Sequence, residues 1–428
     1  MTVDYPDTHY ARTRTQDALR PPLAGEVEAD VCVVGGGLAG LSTALGLAER
    51  GKRVALVEAR RFGFGASGRN GGFLGAGYAL HGPDLVARMG LQDARWAFGL
   101  TQKAVALVGE RTRRYAIACD LEQTGHMWAA WFDAPDETKK RKAWMAETFG
   151  VELEHWPRER MREAYRTARY HEGLYNPAGC QFHPLNYALG VARAAESHGA
   201  RLYEGSPAVA LERQGARRAV RTPGGRVVAE HVVVAGGGYL RGLDARISGA
   251  VLPIATYVGT TEPLGNRIGD ALRVRYATSD TRWSFDYYRR LADTRILWGW
   301  GVSARRGEPA GLAGHTRRGL LRVFPQLAGV RIETAWGGLM SYARHRMPQV
   351  GELEPGLWYA QAFGGHGMGT TTVAGELLAA AIAHKDDAWR RFARFGLDRA
   401  WGLAGSAVAQ ATYWTYRLKD ALKQRRAA

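Results

Sequence analysis

Apolar and polar positions fall into blocks over the first third of the chain. "ADVCVV" (29–34) is a continuous, β-branched apolar run, which reads as a parallel strand covered on both faces. It stops at a glycine cluster. "LAGLSTALGLAERG" then reads as a helix, and "KRVALVE" is a second buried strand that ends in an acid. The order strand, glycine turn, helix recurs near the C-terminus in "GLWYAQAFGGHGMGTTTVAGELLAAAIA", where the helix is expected to start near Thr370. "AEHVVVAGGGYL" (229–240) is a further buried strand running into glycines. Between these blocks the pattern changes. Residues 82–171 look helical and charged, whereas "VLPIATYVGTTEPL" and "RWSFDYYRRLADTRILWGWG" alternate like antiparallel strands. The fold class expected is α/β: a Rossmann-like dinucleotide domain with an antiparallel β-sheet substrate domain.

Gly35, Gly37 and Gly40 carry the spacing of a dinucleotide-binding turn. Gly35 permits the tight turn, Gly37 admits a pyrophosphate, and Gly40 lets the helix pack on the strand. Leu38, Ala39 and Gly40 open that helix, whose free N–H groups and dipole favour phosphate. Glu58, followed by Ala59 and Arg60, stands where an acid binds a ribose 2′-hydroxyl and repels a 2′-phosphate. NAD and FAD enzymes share this much. A second cluster, "FGFGASGRNGGF" (62–73), directly follows the second strand, where an NAD enzyme would continue with further β-α units. Gly65, Ala66, Ser67, Arg69, Asn70, Gly71 and Gly72 would let backbone approach another planar or phosphorylated group. Val209, Gly236 and Gly237 belong to the same set. So do Phe363, Gly364, Gly365, His366, Gly367 and Met368, at a turn whose helix aims its positive end at whatever covers it. A flavin gains from that arrangement, because reduction places negative charge on its N1–C2=O edge.

Together, "GASGRNGGF", "FHPLNYALGVARAA", "VVVAGGGYL", "RILWGW" and "FGGHGMGTTTVAGELLA" resemble the D-amino-acid-oxidase-like FAD oxidoreductases, and within them the branch holding bacterial γ-glutamylputrescine oxidoreductases and L-pipecolate oxidases. The resemblance runs from about His9 to Ala383. It implies an FAD domain assembled from 28–84, 172–245 and 331–390, and a substrate domain from 85–171 and 246–330. Residues 1–27 become an N-terminal extension and 391–428 a C-terminal helical tail. The implied reaction takes an amine to an imine by hydride transfer to flavin N5, with L-pipecolate favoured and γ-glutamylputrescine or another imino or D-amino acid as the alternative. In the related sarcosine-oxidase branch a Cys before the glycine–His turn attaches FAD; "TAWGGLMSYARHRMPQVG" has none, so FAD is expected to be noncovalent. That branch also has a Lys three residues after the turn's His, where this chain has Gly369, so a carboxylate needs another anchor.

Candidates for the chemistry are His366 at the turn, His183 (otherwise a helix-entry residue), and Tyr257 and Tyr288 on predicted strands. Arg289, Arg344 and Arg346 could hold a carboxylate by paired hydrogen bonds. Cys32, Cys119 and Cys180 lack metal or disulfide spacing, and no metal is expected. The net charge of +17 comes from arginine, since only eight lysines occur. That charge keeps an FAD enzyme of tRNA modification open as another class, but no basic block interleaved with aromatics accompanies it, and nucleic acid is not expected. An inactive flavoprotein subunit is a third reading, opposed by the intact glycine clusters. Absence of a signal-peptide core predicts a cytoplasmic protein. No lysine lies between Ala143 and His384, which leaves O2 or a membrane quinone open as electron acceptor. The tail mixes Tyr413, Trp414, Tyr416 and Leu418 with Arg417, Lys419, Lys423, Arg425 and Arg426. It could lie peripherally on the inner membrane or pack on its own protein.

Overall fold

The computed structural model describes residues 4–16 and 18–427, the side chains of 426 and 427 excepted. Arg426, grouped with the basic tail, therefore lies outside the described side chains. Two eight-stranded sheets form the frame. In the first, Gly25–Val34 is central and pairs in parallel with Gly225–Val234 on one side and Val54–Val57 on the other. Arg201–Tyr203 extends it beyond Val54–Val57, and Leu357–Gln361 extends it beyond Gly225–Val234, again in parallel. The predicted apolar runs are thus adjacent in space, with Val33, Leu56, Val232 and Val234 fully buried.

The second sheet runs Ile332–Tyr342, Leu252–Thr261, Ile296–Ser303, Tyr287–Arg290, Ala277–Asp280, His126–Ala129, Gly173–Asn176 and Glu154–Trp156. All its pairings are antiparallel except that of Ala277–Asp280 with His126–Ala129. The second sheet thus takes strands from both sides of the boundaries expected at 172 and 331. Gly173–Asn176 and Ile332–Tyr342 hydrogen-bond into the second sheet, and pairing partners, which one apolar run does not reveal, decide where a strand belongs. Strands 126–129 and 154–156 also interrupt the stretch expected to be helical.

Helix Leu38–Ala48 is buried along its whole length. Helix Gly367–His384, which starts three residues before Thr370, packs directly on it. A Cβ on Gly375 would come within 2.6 Å of the Ser42 Cβ, so glycine sets this close approach. Both helices point their N-termini toward glycine turns that follow strands of the first sheet.

The described part of the N-terminal extension reaches the core at Thr8, Tyr10, Ala11 and Leu23. Helix His9–Arg12 inserts Tyr10, only 1% exposed, against His183 and Trp336. The C-terminal tail forms helix Gly402–Ala427. Asp420 accepts from the Trp283 and Ser284 N–H groups, and Gln424 accepts from the Trp131 indole. These bonds tie one face to the second sheet, while Trp414, Leu418 and Leu422 remain exposed. Among the described residues, no helix is long and apolar enough to cross a membrane.

Candidate cofactor and substrate cleft

The first glycine turn is held from three sides. Gly35 has φ +110°, and a Cβ there would lie 2.7 Å from the Ala235 carbonyl, so the ends of two parallel strands meet only because glycine is present. Gly236 follows immediately, its N 3.2 Å from that same point. Glu58 closes the turn from the neighbouring strand: one carboxylate oxygen accepts from Gly36 N–H at 2.6 Å and the other from Arg60 N–H at 2.9 Å. Burial raises its pKa against these bonds. Gly37 caps helix Leu38–Ala48 with no side chain. The Ser67 hydroxyl reaches across from the second glycine cluster to accept from Leu38 N–H at 2.9 Å. The two clusters, 29 residues apart, are thereby one structure.

Asn70 braces the second cluster. Its amide donates to the Ala66 and Ser67 carbonyls and its oxygen accepts from Gly72 N–H. Arg69 Nε donates to Phe64 O at 2.7 Å and Nη1 to Gly337 O at 3.2 Å, while Trp336 donates to the Arg69 carbonyl. Arg69, expected to meet cofactor, therefore joins the glycine loop to a strand of the second sheet; burial lowers its pKa. Arg60 lies over the Phe64 ring and Ala59 is exposed. Gly65 lies against Tyr239, beside the Gly236–Gly237 turn, and a Cβ at Gly71 would fall 2.5 Å from the Tyr287 ring. Val209 does not join them through its amide, which donates to Arg221 O, and its side chain is 58% exposed.

The turn Gly364–His366 faces the second sheet from the other side. Phe363 bridges to Tyr342, and a Cβ at Gly364 would meet Ala79 at 2.5 Å and the Tyr342 ring at 3.0 Å. His366 caps helix Gly367–His384, its carbonyl accepting from the Thr370 hydroxyl. Met368 is buried in the first turn. His366 is exposed, and its ring makes no hydrogen bond among the described residues. It is nevertheless set deep enough that burial, with His81 nearby, pushes its pKa down to about 4. His126 lies across from it, its pKa pushed down to about 3 by burial and by Arg141 and His366. Phe73 and Tyr287 continue the wall, with ring centroids 5.4 Å apart.

Several predicted residues are elsewhere. His183 is the helix-entry residue: it caps Pro184–Ser197, Nδ1 accepting from Asn186 N–H at 3.1 Å, and Nε2 lies 3.1 Å from the Thr13 hydroxyl. Tyr257 packs on Trp300 and Leu312, on the face turned toward helix Leu312–Val323. Its neighbour Thr256 meets Tyr287 instead. Tyr288 stacks on Trp298 in the core, because adjacent strand residues point to opposite faces. Arg289 is buried, and its Nη2 donates to Tyr10 Oη and the Phe182 carbonyl, pinning the N-terminal segment. Arg346 pairs with Asp84 at the surface, and Arg344 lies over Trp401. The cleft residues that the sequence reading missed are Phe73, His81, His126, Tyr287 and Tyr342. "FDYYRR" signalled an aromatic strand, but only its register shows that the first tyrosine faces the cleft. A separate surface hollow of about 700 Å³, lined by Arg162, Arg166, Thr167, Ala168, Asp270 and Gln326, includes none of these groups.

Comparison with known proteins agrees with this arrangement. Over 394 residues the chain is 35% identical to γ-glutamylputrescine oxidoreductase of Escherichia coli (strain K12), covering 91% of this chain and 92% of that one. It is 27% identical to glycine oxidase of Geobacillus kaustophilus (strain HTA426), covering 88% and 98%. The crystal structure of glycine oxidase from Geobacillus kaustophilus superposes with a TM-score of 0.73 at 25% identity, covering 88% of this chain and 100% of that one. L-proline dehydrogenase from P. horikoshii shares the fold, with a TM-score of 0.71 at 20% identity over 87% and 98%. The family model "FAD dependent oxidoreductase" matches residues 30–381, from the first strand to the helix after His366, and the chain belongs to that family.

Proposed function

We propose that the protein oxidises a primary or secondary amine that carries a carboxylate, with FAD held noncovalently between the two glycine clusters and the His366 turn. FAD, when bound, supplies acceptance of a hydride from the carbon beside the amine nitrogen, leaving an imine. Glu58 suits the adenosine ribose hydroxyls, and the Leu38–Gly40 N–H groups suit the pyrophosphate. The 18-residue helix behind His366 presents its positive end where flavin charge would build. With its pKa near 4, His366 is neutral at physiological pH. It can accept a hydrogen bond from a substrate N–H but is too weak a base to keep the proton. Phe73, Tyr287 and Tyr342 withdraw water from the amine, and desolvation favours its neutral form. Noncovalent attachment is supported by the lack of a cysteine in the segment before the His366 turn.

The observation that carries this reading is the joining of the two glycine clusters through Ser67 and Leu38, with the glycine–His turn and the Phe73–Tyr287 wall packed around the same strands. We place γ-glutamylputrescine ahead of L-pipecolate, reversing the sequence expectation, because a relative named for that amine is similar over 91% of the chain. The electron acceptor is O2 or a quinone. The absence of lysine from Ala143 to His384 supports the quinone. Exposed Trp414 and Leu418 beside Arg417 and Lys419 support a contact with anionic lipid. Steady-state turnover of γ-glutamylputrescine, L-pipecolate, putrescine and glycine, each with oxygen and with a soluble quinone, tests both parts. The first amine should turn over fastest, and faster with quinone than with oxygen. Turnover confined to glycine would overturn the substrate assignment.

A further inference from the structure

Arg141, on helix Pro135–Phe149, is a cation that the cleft leaves without an acid. Four buried arginine side chains are paired with acids: Arg61 with Glu204, Arg111 with Glu376, Arg218 with Glu354, and Arg282 with Asp280, while Arg69 and Arg289 are spent on backbone carbonyls and Tyr10. The three arginines expected to anchor a carboxylate are committed to Tyr10 and Phe182, to Trp401 and to Asp84. Arg141 forms no hydrogen bond or ion pair among the described residues. Its guanidinium lies 4.9 Å over the Trp128 ring, and the residue is exposed. The aromatic wall is continuous from there to the glycine loop. Trp128 lies 4.5 Å from His126, His126 5.9 Å from Phe73, and Phe73 5.4 Å from Tyr287, which abuts Gly71. A guanidinium with no acid beside it, at the end of an aromatic wall, is free to hold a substrate carboxylate by paired hydrogen bonds.

We propose that Arg141 anchors a substrate carboxylate remote from the reacting amine, so that the cleft selects long amines with a distal carboxylate over α-amino acids. This rests on the amine-oxidising reading above. The distance follows from placement: Arg141 stands beyond Trp128 and His126 on the wall that starts at Phe73. A carboxylate on the carbon next to the reacting nitrogen would stay beside the His366 turn. Arg141 is a specificity residue and touches no reacting atom.

The test compares γ-glutamylputrescine with putrescine, which has the same reacting end and no carboxylate, in wild type, Arg141→Gln and Arg141→Lys holoenzymes. Arg141→Gln should lower the kcat/KM preference for γ-glutamylputrescine roughly ten- to a hundredfold, the range of one charge-assisted bond. The loss should lie in KM, and Arg141→Lys should recover part of it. Equal losses on both amines, or none, overturn the proposal. If wild type oxidises neither amine, the functional reading fails, and calorimetric binding of glutarate to the holoenzyme decides the anchor separately. Weaker glutarate binding by Arg141→Gln supports it; equal binding, or no binding by wild type, overturns it.

Discussion

Glu58 ends a four-residue strand with its carboxylate turned onto the backbone N–H groups of Gly36 and Arg60. The position was legible because an acid after the second strand has a chemical use that a packing residue lacks. A ribose would exchange one hydrogen-bonded partner for another at a site already formed. Glu58→Ala should weaken FAD binding roughly ten- to a hundredfold, as for loss of a charge-assisted bond of about 1.5–3 kcal/mol. Fluorescence titration of the apoprotein with FAD measures this, and an unchanged Kd would refute the assignment. Arg141 and His126 were not legible. Arg141 lies on a charged helix and His126 at the start of a short strand, and each acquires meaning only from its neighbours in space.

At the scale of elements, strand–glycine–helix order could be read directly, because continuous apolar runs and glycine spacing are local signals. Register and partner choice could not. Tyr287 and Tyr288 look alike in "FDYYRR", yet one faces the cleft and the other stacks on Trp298. Strand Ile332–Tyr342 looked like part of the first domain because its neighbours in sequence are. His183 illustrates an element boundary with a pH consequence. Burial pushes its pKa down to about 3 while it accepts from Asn186 N–H. Unfolded, it would titrate near 6.5, so the folded state binds fewer protons below that pH, and stability falls as pH drops from about 6.5 toward 3. The slope for one such histidine approaches about 1.4 kcal/mol per pH unit. His183→Asn replaces the capping nitrogen Nδ1 with an amide oxygen and cannot titrate. Denaturant unfolding at pH 7, 6 and 5 should show a shallower loss of stability in the variant. Parallel pH profiles would exclude His183 as a contributor.

At the scale of the whole molecule, the two sheets are joined by the loop that the flavin motif itself contains. Arg69 bonds Gly337, Trp336 bonds Arg69, and Tyr287 rests on Gly71. The N-terminal segment locks the same junction through Tyr10 and Arg289. Its polar composition concealed that role, since one buried aromatic among charges gives no periodic signal. The net charge of +17 suits attraction of carboxylate substrates and anionic lipid alike, and it selects no fold. The central claim is that a carboxylated amine delivers its electrons to a flavin in this cleft. Anaerobic mixing of the holoenzyme with γ-glutamylputrescine tests it most directly: the yellow flavin absorbance should bleach within the time of a single turnover and return when a quinone is added. A flavin that stays oxidised with γ-glutamylputrescine, L-pipecolate and glycine alike would contradict it.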